Sequence, residues 1–246
     1  MRTLDLKNSI YIHIKTLQKT RDCQISDFFL RIAFRAFILL FMQACSPALY
    51  HVNLKYEPTE KFIKTEQAGP DFPITVATVN DIRKVDDKLV LGTVTTVQGD
   101  LIPILPSYNK VNEAVTSSIR DYLSKLGYKI SNNIPVWDLK EETISKDWGR
   151  ILIGCNIDEL EIICKKSFPM KTYDAKIKLS FVFANVPDKR IFYRSSVKNS
   201  SSLKDVSFSE ELLEKQINAV LSGALGQMFN DPKMTKTITD AAKTDK

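Results

Sequence analysis

The strictest pattern of apolar and polar positions lies between residues 172 and 184, where apolar side chains occupy every second position. A period of two predicts a β-strand with one buried face and one solvated face. Apolar-rich stretches at 150–165 and 190–200 flank this segment. Together the three stretches predict an antiparallel meander of long strands. Earlier in the chain, residues 73–80 predict another strand and residues 89–97 a shorter one.

Two other stretches carry apolar residues at the three- and four-residue spacing of an amphipathic helix. The first runs from Val111 to Leu126, and the second from about Ser209 to Asn230. Gly127 follows the first stretch, where a helix end favours a left-handed residue. The order of elements therefore predicts an α+β fold, with two helices packed on one face of a mostly antiparallel sheet of about four strands.

The amino-terminal part of the chain contains a short apolar run that ends at Cys45. Residues 36–45 lie behind Arg31 and Arg35, and Ala44 precedes the cysteine. A basic region, a short apolar stretch and a small residue at the cut are typical of a secretory leader, here of the lipoprotein type. The run is too short to span a bilayer, which takes about 20 apolar residues. Gln43 departs from the lipoprotein pattern, and the other interpretation is a free Cys45 thiol beside an ordinary apolar patch.

The sequence thus predicts four regions. Residues 1–44 form a leader, whose unusual length is explained if translation starts near residue 30. Residues 45–72 comprise the lipidated cysteine and a flexible polar tether, residues 73–231 form a single α+β domain, and residues 232–246 form a disordered tail.

Charge and cysteine usage narrow the function classes. The net charge is +6, but the first 44 residues hold seven Lys or Arg and three Asp, so the rest of the chain carries only +2. We therefore expect no nucleic-acid partner.

Cys155 and Cys164 are nine residues apart in one predicted strand, so an uninterrupted strand would place them on opposite faces and about 30 Å apart. Buried free thiols are expected, with a disulfide only if the segment bends into a hairpin.

Catalytic groups are scarce in the predicted domain. The two histidines, His13 and His51, fall in the leader and the tether, so histidine-based acid–base chemistry and histidine metal sites are excluded from the domain. The glycines form neither a dinucleotide fingerprint nor a P-loop. We expect no catalytic residue, no cofactor and no metal. Glu159 and Glu161 share a strand face, which leaves a carboxylate-dependent hydrolase as a remote alternative to a solvated strand face.

Two pairs of residues are candidates for binding. Asp81 and Arg83 flank an apolar residue at the end of a predicted strand, and they predict either an ion pair that fixes the following loop or a binding site there. Trp137 and Trp148 bracket the long polar connection between the first helix and the meander. They could contact a partner protein or cover the edge of the sheet.

Several of these features occur together in one known family. They are a lipidated Cys45, the triplet 81–83 (Asp-Ile-Arg), the triplet 126–128 (Leu-Gly-Tyr), long antiparallel strands over 150–200 and a terminal helix over 209–230. In this combination the chain resembles the YajG-type periplasmic lipoproteins. A looser similarity in layout extends to the lipopolysaccharide-assembly lipoprotein LptE and to auxiliary lipoproteins of envelope ABC transporters.

The resemblance implies an envelope lipoprotein without enzymatic activity. The leading hypothesis is a binding or assembly module, anchored in the membrane by its lipid, with an envelope protein as partner. Ser46 stands where an Asp would retain a lipoprotein in the inner membrane under the enterobacterial sorting rule, so the periplasmic face of the outer membrane is expected. The alternative is an auxiliary lipoprotein subunit of an envelope ABC-type transport system.

Overall fold

The computed structural model describes residues 49–58 and 72–243, and it arranges them as a mixed sheet of eight strands with helices on one face. The elements in chain order are the strands β1 (Tyr50–Val52), β2 (Ile74–Val76), β3 (Asn80–Asp81), β4 (Gly92–Thr95) and β5 (Leu101–Pro106), helix α1 (Val111–Lys125), a 3-10 turn (Glu141–Thr143), the strands β6 (Ile151–Lys166), β7 (Lys171–Asn185) and β8 (Arg190–Asp205), and the helices α2 (Glu210–Phe229) and α3 (Pro232–Lys243).

Strand β6 organises the sheet. The strand order is β1-β5-β4-β6-β7-β8, and β2, β3 and β4 pair in succession, all parallel, with the same edge of β6. On its other edge β6 starts the antiparallel meander β6-β7-β8, which agrees with the sequence prediction. The prediction of about four mostly antiparallel strands is too small. The additional strands have two to six residues, which is too short to show a period, and their parallel pairing joins distant parts of the chain.

A β-bulge in β6 changes which residues face the helices. The register with β7 shifts between Ile157 and Glu159, and one extra residue inverts the inward and outward positions beyond it. Cys155 before the bulge and Cys164 after it therefore both enter the main core, whereas an uninterrupted strand would hold them on opposite faces. Both are free thiols. Burial raises the pKa of Cys155, and it raises the pKa of Cys164 to about 11.

The two predicted helices are confirmed, and their apolar stripes pack on the inner face of the sheet. Gly127 has φ +91°, as its place after α1 requires. The side chain of Ser209 caps α2 by accepting a hydrogen bond from the Leu212 N–H. A third helix, α3, occupies most of the predicted disordered tail. It is held by Met234 and Ile238, which are buried in the core.

Residues 49–58 are folded, which corrects the predicted flexible tether in this part. Strand β1 pairs in parallel with β5, and His51, which it carries, is thus part of the folded body. Along the other side of this segment, α2 supplies the hydrogen-bond partners. The backbone N–H groups of His51, Asn53, Lys55 and Glu57 donate to side-chain oxygens of Glu210, Glu214, Asn218 and Ser222, at 3.2, 2.8, 3.0 and 2.9 Å.

These four hydrogen bonds are possible because the repeat of an extended chain matches the repeat of a helix. Alternate residues of an extended chain are about 6.6 Å apart, and residues four apart in a helix are about 6.0 Å apart. One row of side chains on α2 can therefore serve successive backbone groups of the segment. A polar row on a helix takes the place of a neighbouring strand, and the sequence gives no local signal of that pairing.

Candidate binding cleft

A cleft of about 790 Å³ lies between the β3–β4 connection and the outer face of the sheet, opposite the helices. Residues 82–87 and 90–93 form one wall, and outward side chains of β6 and β7 form most of the other. Ile82 and Val85 are 50% and 44% exposed. The sheet wall is charged and contains Asp158, Glu159, Glu161, Lys176 and Lys178.

Arg83 holds the loop wall in place. Its guanidinium forms a two-pronged ion pair with Asp81, with Nη2–Oδ2 at 2.7 Å and Nε–Oδ1 at 2.9 Å. It also donates to the carbonyl oxygens of Lys88 at 2.7 Å, Val90 at 3.1 Å and Leu160 at 3.3 Å. The arginine is 3% exposed. It therefore joins both ends of the loop to β6, which places Asp81 and Arg83 in a supporting role behind the cleft.

The electrostatics of this pair keep the Asp81 carboxylate ionised. Burial would raise the pKa of Asp81, but the hydrogen bonds and charge of Arg83 outweigh it and lower the pKa below its usual value of 3.8. The Lys88 ammonium, 3.8 Å from the carboxylate, acts in the same direction. Asp81 is consequently ionised at neutral pH and has no proton to donate as a general acid.

The carboxylates on the sheet wall face cations or hydroxyls on the neighbouring strand. Glu161 pairs with the Lys176 ammonium at 2.9 Å, and this hydrogen bond raises the pKa of Lys176. Asp158 accepts a hydrogen bond from the Ser180 hydroxyl at 2.6 Å. Glu159 lies opposite Lys178 in the strand register. The surface therefore alternates in charge across the strands, a pattern that stabilises a sheet.

A glycosidase-like mechanism would instead need two carboxylates that converge on one substrate bond. Here the charges of both glutamates act on Lys176 and raise its pKa, and Glu161 pairs with it directly. Among the residues that the structure describes, no group of three or more His, Cys, Asp or Glu side chains is placed to hold a metal ion. The cleft offers charge pairing and apolar contact to a ligand.

The two tryptophans lie over the other half of the outer sheet face. Trp137 is 1% exposed, and its indole N–H donates to the Lys140 carbonyl at 2.9 Å. Its ring lies directly over Gly154 of β6, where a Cβ atom would come within 2.6 Å of it. Of the two alternatives predicted for Trp137, a partner contact or a cover over the sheet, its burial agrees with the second. Trp148 is half-buried against the same small cluster, so both tryptophans cover the sheet.

Cys45, the predicted lipidation site, lies outside the described residues. Within the described part of the chain, none of the helices has the length and hydropathy that crossing a membrane would require.

Sequence reasoning missed Lys176 and Lys178 as parts of the site. Their alternation along β7 was visible, but the partners on β6 depend on the register beyond the bulge.

Comparison with known proteins gives a fold-level likeness only. No family model matches the chain, and no curated protein is similar to it in sequence. A Xanthomonas campestris protein of the DUF330 family is 11% identical, with a TM-score of 0.47, and the match covers 80% of this chain and 98% of that one. A homolog of neuraminyllactose-binding hemagglutinin from Helicobacter pylori is also 11% identical, with a TM-score of 0.46 and coverage of 79% and 100%.

A lipoprotein from Neisseria meningitidis is 9% identical, with a TM-score of 0.37, and the match covers 65% of this chain and 99% of that one. With TM-scores below 0.5, these likenesses carry no argument about family or activity. The resemblance to the YajG-type proteins therefore stays a prediction from the sequence.

Proposed function

We propose that this protein is a lipid-anchored binding or assembly module without catalytic activity, held by Cys45 on the periplasmic face of the outer membrane. The observation that carries the binding role is the cleft, in which a loop fixed by Arg83 presents Ile82 and Val85 beside the charged sheet wall. The leader pattern that ends at Cys45 supports the anchor.

The proposed occupant of the cleft is a segment of an envelope protein. Apolar side chains of that segment would pack on Ile82 and Val85, and charged groups would lie along Glu159 and Lys178. A rigid loop favours such binding because little conformational entropy is lost when the partner arrives. The mixed charges on the sheet wall give orientation and specificity.

Metabolic labelling with a palmitate analogue tests the anchor. Label is expected on the full-length chain and on the control variant Cys23→Ala, and it is expected to disappear in Cys45→Ala. Label that persists in Cys45→Ala would overturn the proposed anchor.

Site-specific photocrosslinking in cells tests the cleft. A photoreactive amino acid at Val85 is expected to capture a discrete envelope protein, whereas the same group at Asp188, an exposed residue in the β7–β8 turn, is not. Lys178→Glu should reduce capture at Val85. Equal products at both positions, or none at Val85, would contradict a partner in this cleft. Capture of a permease or substrate-binding protein would assign the module to an ABC-type transport system.

A further inference from the structure

One end of the sheet gathers exposed apolar side chains that the cleft does not use. This end is formed by the β4–β5 connection, the β6–β7 connection and the start of the β8–α2 connection, and we call residues 95–101, 165–171 and 204–208 the loop tip. Its most exposed large apolar residues are Phe168 at 93%, Val97 at 70%, Leu101 at 68% and Val206 at 68%.

These residues lie at one end because of the strand register. Thr95 pairs with Lys165, Leu101 with Thr95, and Lys171 with Asp205. The strands from β5 to β8 are neighbours, with a spacing of about 4.8 Å, so the tip is a row about 20 Å wide. Isolated apolar residues on a surface are ordinary, but a row confined to one end indicates an interaction site.

The loop tip is also basic. It contains Lys165, Lys166, Lys171 and Lys204 against only Asp100 and Asp205. Lys165 and Lys204 are exposed, while the Lys166 ammonium lies 3.4 Å from the ring centroid of Phe208 and 2.8 Å from the Tyr50 hydroxyl. Apolar side chains among lysines match the interface of an anionic membrane, where the rings enter the headgroup region and the ammonium groups meet phosphates.

The path of the chain favours the same occupant. Strand β1 begins beside this end, as the contact between Tyr50 and Lys166 shows, and Leu49 precedes it. Only four residue steps separate Leu49 from Cys45, a reach of at most about 14 Å. A lipid on Cys45 would therefore keep this end of the sheet close to the bilayer surface.

We propose that the loop tip is a membrane-contacting surface that rests on anionic phospholipid, with Phe168 as its main apolar contact. The anchoring part of this inference rests on the proposed lipidation of Cys45. The contact orients the body, since a lipid on a short connection alone would allow it to tumble. With the tip on the membrane, the sheet stands with its opposite end toward the periplasm.

Vesicle binding tests the tip separately from the lipid. The full chain carrying Cys45→Ala is mixed with vesicles of phosphatidylcholine alone or of phosphatidylcholine with phosphatidylglycerol, and the bound fraction is measured by flotation. Further variants are made in this background, so any binding by the leader is common to all of them. Phe168→Ser is expected to weaken binding to the anionic vesicles roughly tenfold. Lys165→Glu with Lys204→Glu should weaken it to a similar degree.

Tyr108→Ser is the matched control. Tyr108 is 83% exposed and lies beyond the other end of β5, so its loss should leave binding unchanged. Since Phe168 and Tyr108 are both exposed, neither variant should affect folding, which circular dichroism can verify. Equal binding by the Phe168→Ser and Tyr108→Ser variants, or binding that does not depend on phosphatidylglycerol, would overturn the proposal.

Depth measurement on the acylated protein completes the test. An environment-sensitive fluorophore on Phe168→Cys should be quenched by brominated phospholipids, and the same fluorophore on Asp188→Cys should not. Quenching at neither position would contradict the membrane contact even if Cys45 carries palmitate. If the native chain takes up no palmitate analogue but the Cys45→Ala chain still binds anionic vesicles through Phe168, only the proposed anchor is rejected.

Discussion

The side-chain amide of Asn218 donates a hydrogen bond to the backbone carbonyl of Asn53 at 3.0 Å, while its oxygen accepts from the Lys55 N–H at 3.0 Å. Asn218 is fully buried in the middle of α2. With both bonds it imitates a backbone amide of a neighbouring strand. The amino-terminal segment is thus held to the helix as though the helix were part of the sheet.

Replacing Asn218 with Ala should lower the free energy of unfolding by about 1–3 kcal/mol, because the part-buried Asn53 carbonyl and the Lys55 N–H lose their partner. Urea denaturation measures the change, and hydrogen exchange of the Lys55 amide should accelerate. Glu214→Gln is the control, since a Gln oxygen can still accept from the Asn53 N–H. Slow exchange at Lys55 in Asn218→Ala would show that another group holds the segment.

Replacing Arg83 with Met should destabilise the protein by about 3–5 kcal/mol, because the largely buried Asp81 would keep only the half-exposed Lys88 as a partner and three backbone carbonyls would lose a donor. The β3–β4 loop should also loosen, so capture of a partner at Val85 should fall. Lys84→Met on the same loop changes an exposed cation and should alter stability by less than about 0.5 kcal/mol. Similar losses in both variants would mean that the Arg83 contacts do not fix the loop.

The same ion pair predicts a response to acid. The pKa of Asp81 is lower in the folded chain than in the unfolded chain, so its contribution to stability is complete above the unfolded value and is lost as the pH falls through the folded one. The difference in unfolding free energy between the native chain and Asp81→Asn should therefore shrink between about pH 5 and pH 2. A difference that stays constant over this range would contradict the lowered pKa.

Replacing Gly154 with Ala should disrupt the small cluster on the outer sheet face, because the added methyl group would collide with the Trp137 ring. A loss of about 1–3 kcal/mol is expected from overpacking, with a change in tryptophan fluorescence. Gly226→Ala in α2 is the contrasting case. A Cβ there would be 3.8 Å from its nearest neighbours, so the helix should be unchanged or stabilised. If the tryptophan fluorescence of Gly154→Ala is unchanged, the Trp137 ring does not lie over Gly154.

Local patterns predicted the parts of the fold in which one element buries one face. The alternation along residues 171–180 of β7 and the stripes of α1 and α2 each follow from a single face packed against the core. The triplet 81–83 likewise predicted a possible ion pair, because an aspartate and an arginine two residues apart can meet at a strand end. Its contacts with Val90 and Leu160 were not predictable, since they need the loop to return to β6.

The errors arise where burial or pairing is decided by segments that are distant in the chain. Trp137 lies in a polar connection and resembles an exposed aromatic, yet that connection folds over Gly154. The segment 50–57 does alternate between apolar and polar residues, but the sequence does not show that its polar edge pairs with side chains of α2. The bulge near Glu159 leaves no mark in the composition, although it decides which residues of β6 face the cleft.

The sequence by itself determined the α+β class, the long meander, two of the helices, the scarcity of catalytic groups and the lipoprotein-like pattern at Cys45. Each of these depends on neighbouring residues or on composition. Tertiary structure alone decided the pairing of eight strands, the cleft lined by Ile82 and Val85, and the grouping of apolar and basic side chains at the loop tip around Phe168. These features arise where strands far apart in the chain come into register, and the free energy that selects a register comes from the packed whole.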